Sequence, residues 1–250
     1  MFPPKVWTAS VLVMSLAALS GREAVSASSA SRAGRSVPST LTGALSATAW
    51  ASAEIGSLER RIFELALGAA SCAVRSGSID DLATLTVIDY SRPSTQRRLW
   101  VFDLKSRALR YEELVAHGRG SGENVATSFS NVPESHQSSL GLFRTEDSYV
   151  GRNGYSLRLR GLDAGFNDHA YDRAIVMHGA PYVSDDFARA QGRLGRSHGC
   201  PALREGIARE VIDTVKGSGL VFAYYPDPAW LTTSKYLADC ETTQFASSGL

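Results

Sequence analysis

Between residues 84 and 225 the chain returns repeatedly to short apolar runs of strand length, and that period limits its possible folds more than any other feature. Leu85-Thr86-Val87-Ile88-Asp89-Tyr90 and Leu99-Trp100-Val101-Phe102-Asp103-Leu104 are rich in the β-branched and aromatic side chains that suit a pleated surface. Lys105-Ser106-Arg107-Ala108 reads as a turn into a third run, Leu109 to His117. Tyr155-Ser156-Leu157-Arg158-Leu159-Arg160 alternates residue by residue, as a strand with one buried face does. Ala174-Ile175-Val176-Met177 is apolar throughout, fit for burial on both faces, and Gly219 to Tyr225 closes the series before Pro226. Helical spacing occurs in two places. One is Ile55, Leu58, Ile62, Leu65, Ala66 and Ala69, with Cys72 in the last turns and Gly77 as the stop; the other is Ile207, Ala208, Val211, Ile212 and Val215, closed by Gly217. The order shows no strand–helix alternation and no internal repeat, so it predicts a β-rich fold, mainly antiparallel, with a few helices.

The stretch from Gly118 to Leu140 is full of Ser, Gly and Asn, too polar for a core element and too long for a simple turn; it reads as a surface loop beside a site. At the amino terminus Lys5 precedes an apolar run, Val11 to Leu19, and small residues lead to Val25-Ser26-Ala27. This is the pattern of a secretory signal peptide over residues 1–27, cleaved after Ala27 or Ala30. The run is shorter than the roughly 20 residues that span a bilayer, so lasting membrane insertion is not expected. Residues 28–52 are dominated by Ser, Ala, Gly and Thr and read as a flexible linker. A catalytic domain is expected over 53–240, with a short tail at 241–250. The formal charge of +1, from 26 basic and 25 acidic side chains, gives no electrostatic reason to expect a nucleic-acid partner.

Three cysteines, Cys72, Cys200 and Cys240, leave one thiol over in an exported chain. Cys72 and Cys240 lie outside any motif and are expected to pair in an oxidising compartment. Cys200 stands in Ser197-His198-Gly199-Cys200-Pro201, on a glycine-bearing loop expected to precede a helix, and Met177-His178-Gly179-Ala180 ends an expected strand. A thiol becomes a useful nucleophile as thiolate, which requires a base or cation close by. Glycines beside both the His and the Cys permit close backbone approach and leave room for a substrate, Gly179 included. Cys200 is therefore the candidate nucleophile and His178 the candidate base.

His-Gly followed by Ser-His-Gly-Cys resembles the catalytic signature of the L,D-transpeptidases of peptidoglycan, the YkuD-like domain. Val87-Ile88-Asp89-Tyr90-Ser91, Arg97 to Leu104, Ser138-Ser139-Leu140-Gly141 and Gly192-Arg193-Leu194-Gly195-Arg196 resemble the murein L,D-transpeptidase branch, over roughly residues 55 to 240. The resemblance implies a YkuD-like β-sandwich or barrel-like catalytic domain, periplasmic or secreted, with peptidoglycan stem peptides as substrates, carbapenem β-lactams as inhibitors and no cofactor or metal. It implies that Cys200 attacks a stem-peptide carbonyl while His178 takes the thiol proton, and that an amine or water resolves the thioester. Backbone N–H groups of Gly199 and Cys200 would hold the oxyanion, and Ser197 and His198 would shape the loop. The sequence departs from the usual pattern after the cysteine: Pro201-Ala202-Leu203 precedes Arg204, so the usual arginine's substrate role falls to Arg204 or Arg196 or is absent. Tyr182 and His136 are expected to edge the cleft.

Competing readings remain at this stage: an L,D-carboxypeptidase that uses water, a zinc-dependent hydrolase that uses the histidines and the cysteine as ligands, and an inactive wall-binding protein. Asp168 and Asp172 either orient an imidazole or are solvated loop carboxylates. His117 and His169 are expected to be structural or surface residues.

Overall fold

The computed structural model describes residues 39–238 and 240. The expected signal peptide and the tail at 241–250 lie outside the described residues. From Ser39 the segment read as linker is ordered, in a short helix α1 (Ser39–Ala44) and a 3-10 turn (Ala47–Trp50). Trp50, the largest apolar side chain in that stretch, accounts for the difference. It is fully buried, donates from Nε1 to Ala44 O at 2.7 Å and meets Phe63 and Phe102 at ring-centroid distances of 5.0 and 5.7 Å. One buried aromatic of that size offsets the ordering of several small residues.

Helix α2 (Arg60–Arg75) carries the apolar face expected from its spacing but begins later than the pattern does. Gly56, at φ +62°, turns the chain ahead of the first helical turn. The described strands are β1 (Thr84–Asp89), β2 (Leu99–Asp103), β3 (Ala108–Glu113), β4 (Val115–Ala116), β5 (Gly141–Gly151), β6 (Gly154–Gly161), β7 (Val176–Ala180), β8 (Ala202–Arg204) and β9 (Gly219–Tyr224). Helix α3 (Asp185–Gln191) follows β7, α4 (Glu205–Val215) follows β8, and α5 (Pro228–Thr233) follows β9. They form one sheet in the order β3-β2-β1-β9-β5-β6-β7-β8-β4. Most neighbours are antiparallel; β1 with β9 and β7 with β8 are parallel.

The two outermost strands, β3 and β4, are separated in sequence by Leu114 alone. The sheet must therefore curl until its ends meet, giving a nearly closed, barrel-like architecture that leaves little bare edge. Arg98 ties this seam: its backbone N–H donates to Glu113 O at 3.0 Å, and its guanidinium, fully buried, donates to Val115 O at 3.0 and 2.9 Å. The same guanidinium reaches Arg92 O and His117 Nδ1 and lies over the Tyr90 ring. Cys72, near the end of α2, is disulfide-bonded to Cys240 with Cα atoms 5.9 Å apart, which fastens the segment after α5 to the first long helix.

Candidate active site

Leu157, Leu159 and Met177 point into the core, so the alternate residues Ser156, Arg158, Val176 and His178 present the other face of β6 and β7. Across β7 the parallel partner β8 sets His178 opposite Ala202. Cys200 precedes that strand by two residues, and the Val176 N–H approaches its sulfur at 3.5 Å. The thiol is free, 8% exposed, and lies 3.8 Å from Ala174 O. The fold thus brings the strand that carries His178 beside the loop that carries Cys200, although the two residues are far apart in sequence.

The loop carrying Cys200 is held from three sides. Ser197 bridges to Gly118, with Arg119 N–H donating to Ser197 O and Ser197 N–H to His117 O. Ser197 Oγ accepts from Gly199 N–H at 3.1 Å and donates to Cys200 O at 2.6 Å. Ser138 Oγ accepts from Gly118 N–H and donates to Gly199 O at 3.1 Å. Gly199 sits at φ +120°, and a β-carbon there would lie 2.8 Å from Gln137 O and 2.9 Å from Ile175 Cδ1. Glycine is required at this position for both reasons.

His178 Nδ1 faces Gly179 O at 2.8 Å. A neutral ring then donates from Nδ1 and keeps its Nε2 lone pair, the form a proton acceptor needs. Burial holds this imidazole below its ordinary 6.5, against the opposing pull of the Gly179 hydrogen bond. Burial also pushes the Cys200 thiol up, opposed by the Val176 N–H and the Arg173 guanidinium. Both shifts favour the neutral forms, a thiol at Cys200 and an imidazole at His178.

The other expected site residues take varied places. A β-carbon at Gly179 would lie 3.1 Å from Ala208 Cβ and 3.3 Å from Glu205 Cα of α4, so a side chain there would crowd the helix. Tyr182 is half-buried, and burial together with the neighbouring Cys200 pushes its phenol up to about 12. His136 and His198 pack ring to ring, with centroids 4.4 Å apart, beside the loop. Arg204 is held bidentately by Glu113 at 2.8 and 2.6 Å, and Arg196 by Glu123 and Gly122 O. Each is already committed within the protein. The Gly199 N–H is likewise taken by Ser197 Oγ, which leaves the Cys200 N–H of the two expected oxyanion donors. The expected helix after Pro201 is α4, which starts at Glu205; between the two comes strand β8, where Ala202 to Arg204 pair with β7 and Ala202 and Leu203 with β4. Asp168 accepts from Gly165 N–H in its own loop and from Asn131 Nδ2 in the polar loop, and it makes no bond to His178. His117 is buried at the seam, and His169 is exposed near Asp168. Among the described residues no three His, Cys, Asp or Glu side chains converge on a common point.

Arg173 is the site residue that the sequence reading missed. Its guanidinium donates to Ser130 O at 2.7 Å, Ser139 Oγ at 2.6 Å and Gln137 O at 2.8 Å, drawing the polar loop together, and its charge acts on the thiol. A basic residue just ahead of the expected strand 174–177 was the available signal.

The family model for the L,D-transpeptidase catalytic domain matches residues 54–224. No curated protein matches the chain. Among solved structures, an L,D-transpeptidase from Mycobacterium smegmatis is 13% identical, with a TM-score of 0.37 over 57% of this chain and 59% of that one. L,D-transpeptidase 3 from Mycobacterium tuberculosis, in complex with a faropenem-derived adduct, is 17% identical, with a TM-score of 0.35 over 57% and 60%. A Bdellovibrio bacteriovorus protein is 12% identical, with a TM-score of 0.39 over 67% and 57%. The chain spans about three fifths of the length of these solved proteins.

Proposed function

This chain belongs to the L,D-transpeptidase catalytic-domain family, and from that premise we propose that it transfers acyl groups of peptidoglycan stem peptides through a thioester on Cys200. The observation that supports the reading is that the one free thiol is held by the N–H of Val176, two residues from His178 on β7, and that His178 Nδ1 is fixed by Gly179 O, with no hydrogen bond to Nε2 among the described residues. In this reading Cys200 Sγ bonds to the stem-peptide carbonyl carbon while His178 Nε2 takes the thiol proton. The developing oxyanion is met by the Cys200 N–H, with the neutral Tyr182 hydroxyl in the same neighbourhood. Collapse breaks the amide bond, and the imidazolium protonates the departing amine. An amine of a second stem, or water, then attacks the thioester carbonyl while His178 takes its proton; the C–S bond breaks as the new acyl bond is made, and the imidazolium returns the proton to the Cys200 sulfur.

Family members act on cell-wall peptidoglycan, and no described helix is long and apolar enough to cross a membrane. Export through the amino-terminal segment and action in the periplasm or outside the cell complete the proposal. β-lactams with a strained carbonyl should acylate the same sulfur. Incubation with a defined disaccharide-tetrapeptide tests the reading. Cross-linked dimer, or tripeptide released by water, supports it and identifies the acceptor. A substrate left intact under conditions where the protein stays folded contradicts it.

A further inference from the structure

We infer that Arg158 is the anchor of an anion subsite beside Cys200, where it takes a free carboxylate of the acyl-donor peptide. The inference rests on the acyl-transfer reading above and names what that site recognises.

The register of the sheet places it. Arg158 is the antiparallel partner of Val176, and Val176 N–H is the group that holds the Cys200 sulfur. Arg158 therefore lies on one side of β7 and Cys200 on the other, two strand spacings or about 10 Å apart. Ser156, two residues earlier on β6, is the partner of His178, so Arg158 and His178 share one face of the sheet. An extended peptide advances roughly 3.3 Å per residue. The α-carboxylate of a γ-linked glutamyl residue next to the attacked residue is separated from the attacked carbonyl by as much chain as two ordinary residues supply, roughly 7–8 Å when extended, and so comes within reach of the long Arg158 side chain without bending the donor.

The side chain is prepared for such a partner. Its guanidinium lies 4.3 Å from the centroid of the Tyr149 ring and 5.9 Å from that of Tyr171, distances at which the ring faces attract a cation and fix its plane. Arg160, on the same face and 4.4 Å from the Tyr171 ring, is neutralised by Glu146 and also feels Asp172. Arg158, which is half-buried, has no hydrogen-bond or carboxylate partner among the described residues. The arginines expected to serve the substrate, Arg196 and Arg204, are held by Glu123 and Glu113. A planar guanidinium, stacked and without a counter-ion, is the donor that suits a carboxylate in a two-point hydrogen bond.

The test uses L-alanyl-γ-D-glutamyl-L-lysyl-D-alanine and its counterpart amidated at the glutamyl α-carboxylate. Calorimetry on full-length Cys200→Ala protein gives binding without turnover; acylation of otherwise wild-type protein gives KM and kcat. Adding Arg158→Gln should weaken binding of the acidic peptide at least tenfold and raise KM with little change in kcat. The amidated peptide should lose less than twofold, and Arg158→Lys should recover part of the loss. Equal loss for both peptides, unchanged affinity in Arg158→Gln, or no binding of the acidic peptide to the Cys200→Ala protein would overturn the inference. The two readings separate cleanly. Arg158-dependent binding of a peptide that never acylates Cys200 removes the transferase reading and keeps the subsite. Acylation with KM indifferent to Arg158 does the reverse.

Discussion

Replacing Ser197 by alanine removes one oxygen and two hydrogen bonds from the middle of the cysteine loop. Ser197 is 6% exposed, and its hydroxyl serves Gly199 N–H at 3.1 Å and Cys200 O at 2.6 Å. Water has little access to take its place, so a buried N–H and a buried carbonyl are left unsatisfied. Each such loss costs about 1–2 kcal/mol, or about 2–4 kcal/mol together. In a domain of this size each kcal/mol shifts Tm by roughly 2–4 °C, so Tm should fall by about 5–15 °C. The loop should remain in place, because Ser138 still holds Gly199 O and the bridge to Gly118 is made by backbone. Its geometry should loosen, and displacement of a nucleophile by about 1 Å can cost on the order of 100-fold in rate. Differential scanning calorimetry and the rate of carbapenem adduct formation by intact mass read the two effects. A Tm within 1 °C of wild type together with an unchanged acylation rate would refute the reasoning.

His178→Ala should slow carbapenem acylation by about 100-fold or more, and the wild-type rate should fall along an acid limb centred below pH 6.5, since burial lowers that imidazole; a limb centred above pH 7 would point to another base. Burial first, then Arg98, lowers His117 from 6.5 to about 4. The unfolded chain therefore takes up the proton first, and unfolding free energy should fall by on the order of 3 kcal/mol between pH 6.5 and 4; urea titrations of His117→Gln should show this part of the slope missing. Cys240→Ser opens a cross-link across a sequence separation of 168, worth up to about 5 kcal/mol in the chain-entropy description; a midpoint of denaturation equal to that of the unreduced wild type would contradict it.

The period-two runs made most of the sheet legible. β1, β2, β6 and β9 fall where alternation or apolar runs place them, and α2 and α4 where the helical spacing does. β5 was not legible, because its register shifts between Thr145 and Ser148 and the intervening Glu146 and Asp147 break the alternation that marks a strand. β8 has three residues and owes its form to pairing with β7 and β4, a tertiary cause that no local pattern records. The ordered segment around Trp50 escaped notice because its composition is otherwise that of a linker. At the site, the glycine-bearing His and Cys motifs were readable as chemistry. The partners that fix them, Gly179 O for the imidazole, Ser138 and Arg173 for the loop, are set by strand register and by a clamp across more than thirty residues. The commitment of Arg196 and Arg204 to Glu123 and Glu113 has the same non-local origin.

The central claim is that the Cys200 sulfur forms the acyl bond, and intact mass spectrometry of the protein mixed with a tetrapeptide donor tests it most directly. Wild type should gain the mass of the acyl tripeptide, peptide mapping should place it on Cys200, and Cys200→Ala, with an unchanged circular dichroism spectrum, should gain nothing. An adduct of equal yield in Cys200→Ala, or one that maps to another residue of the wild-type protein, would contradict the account.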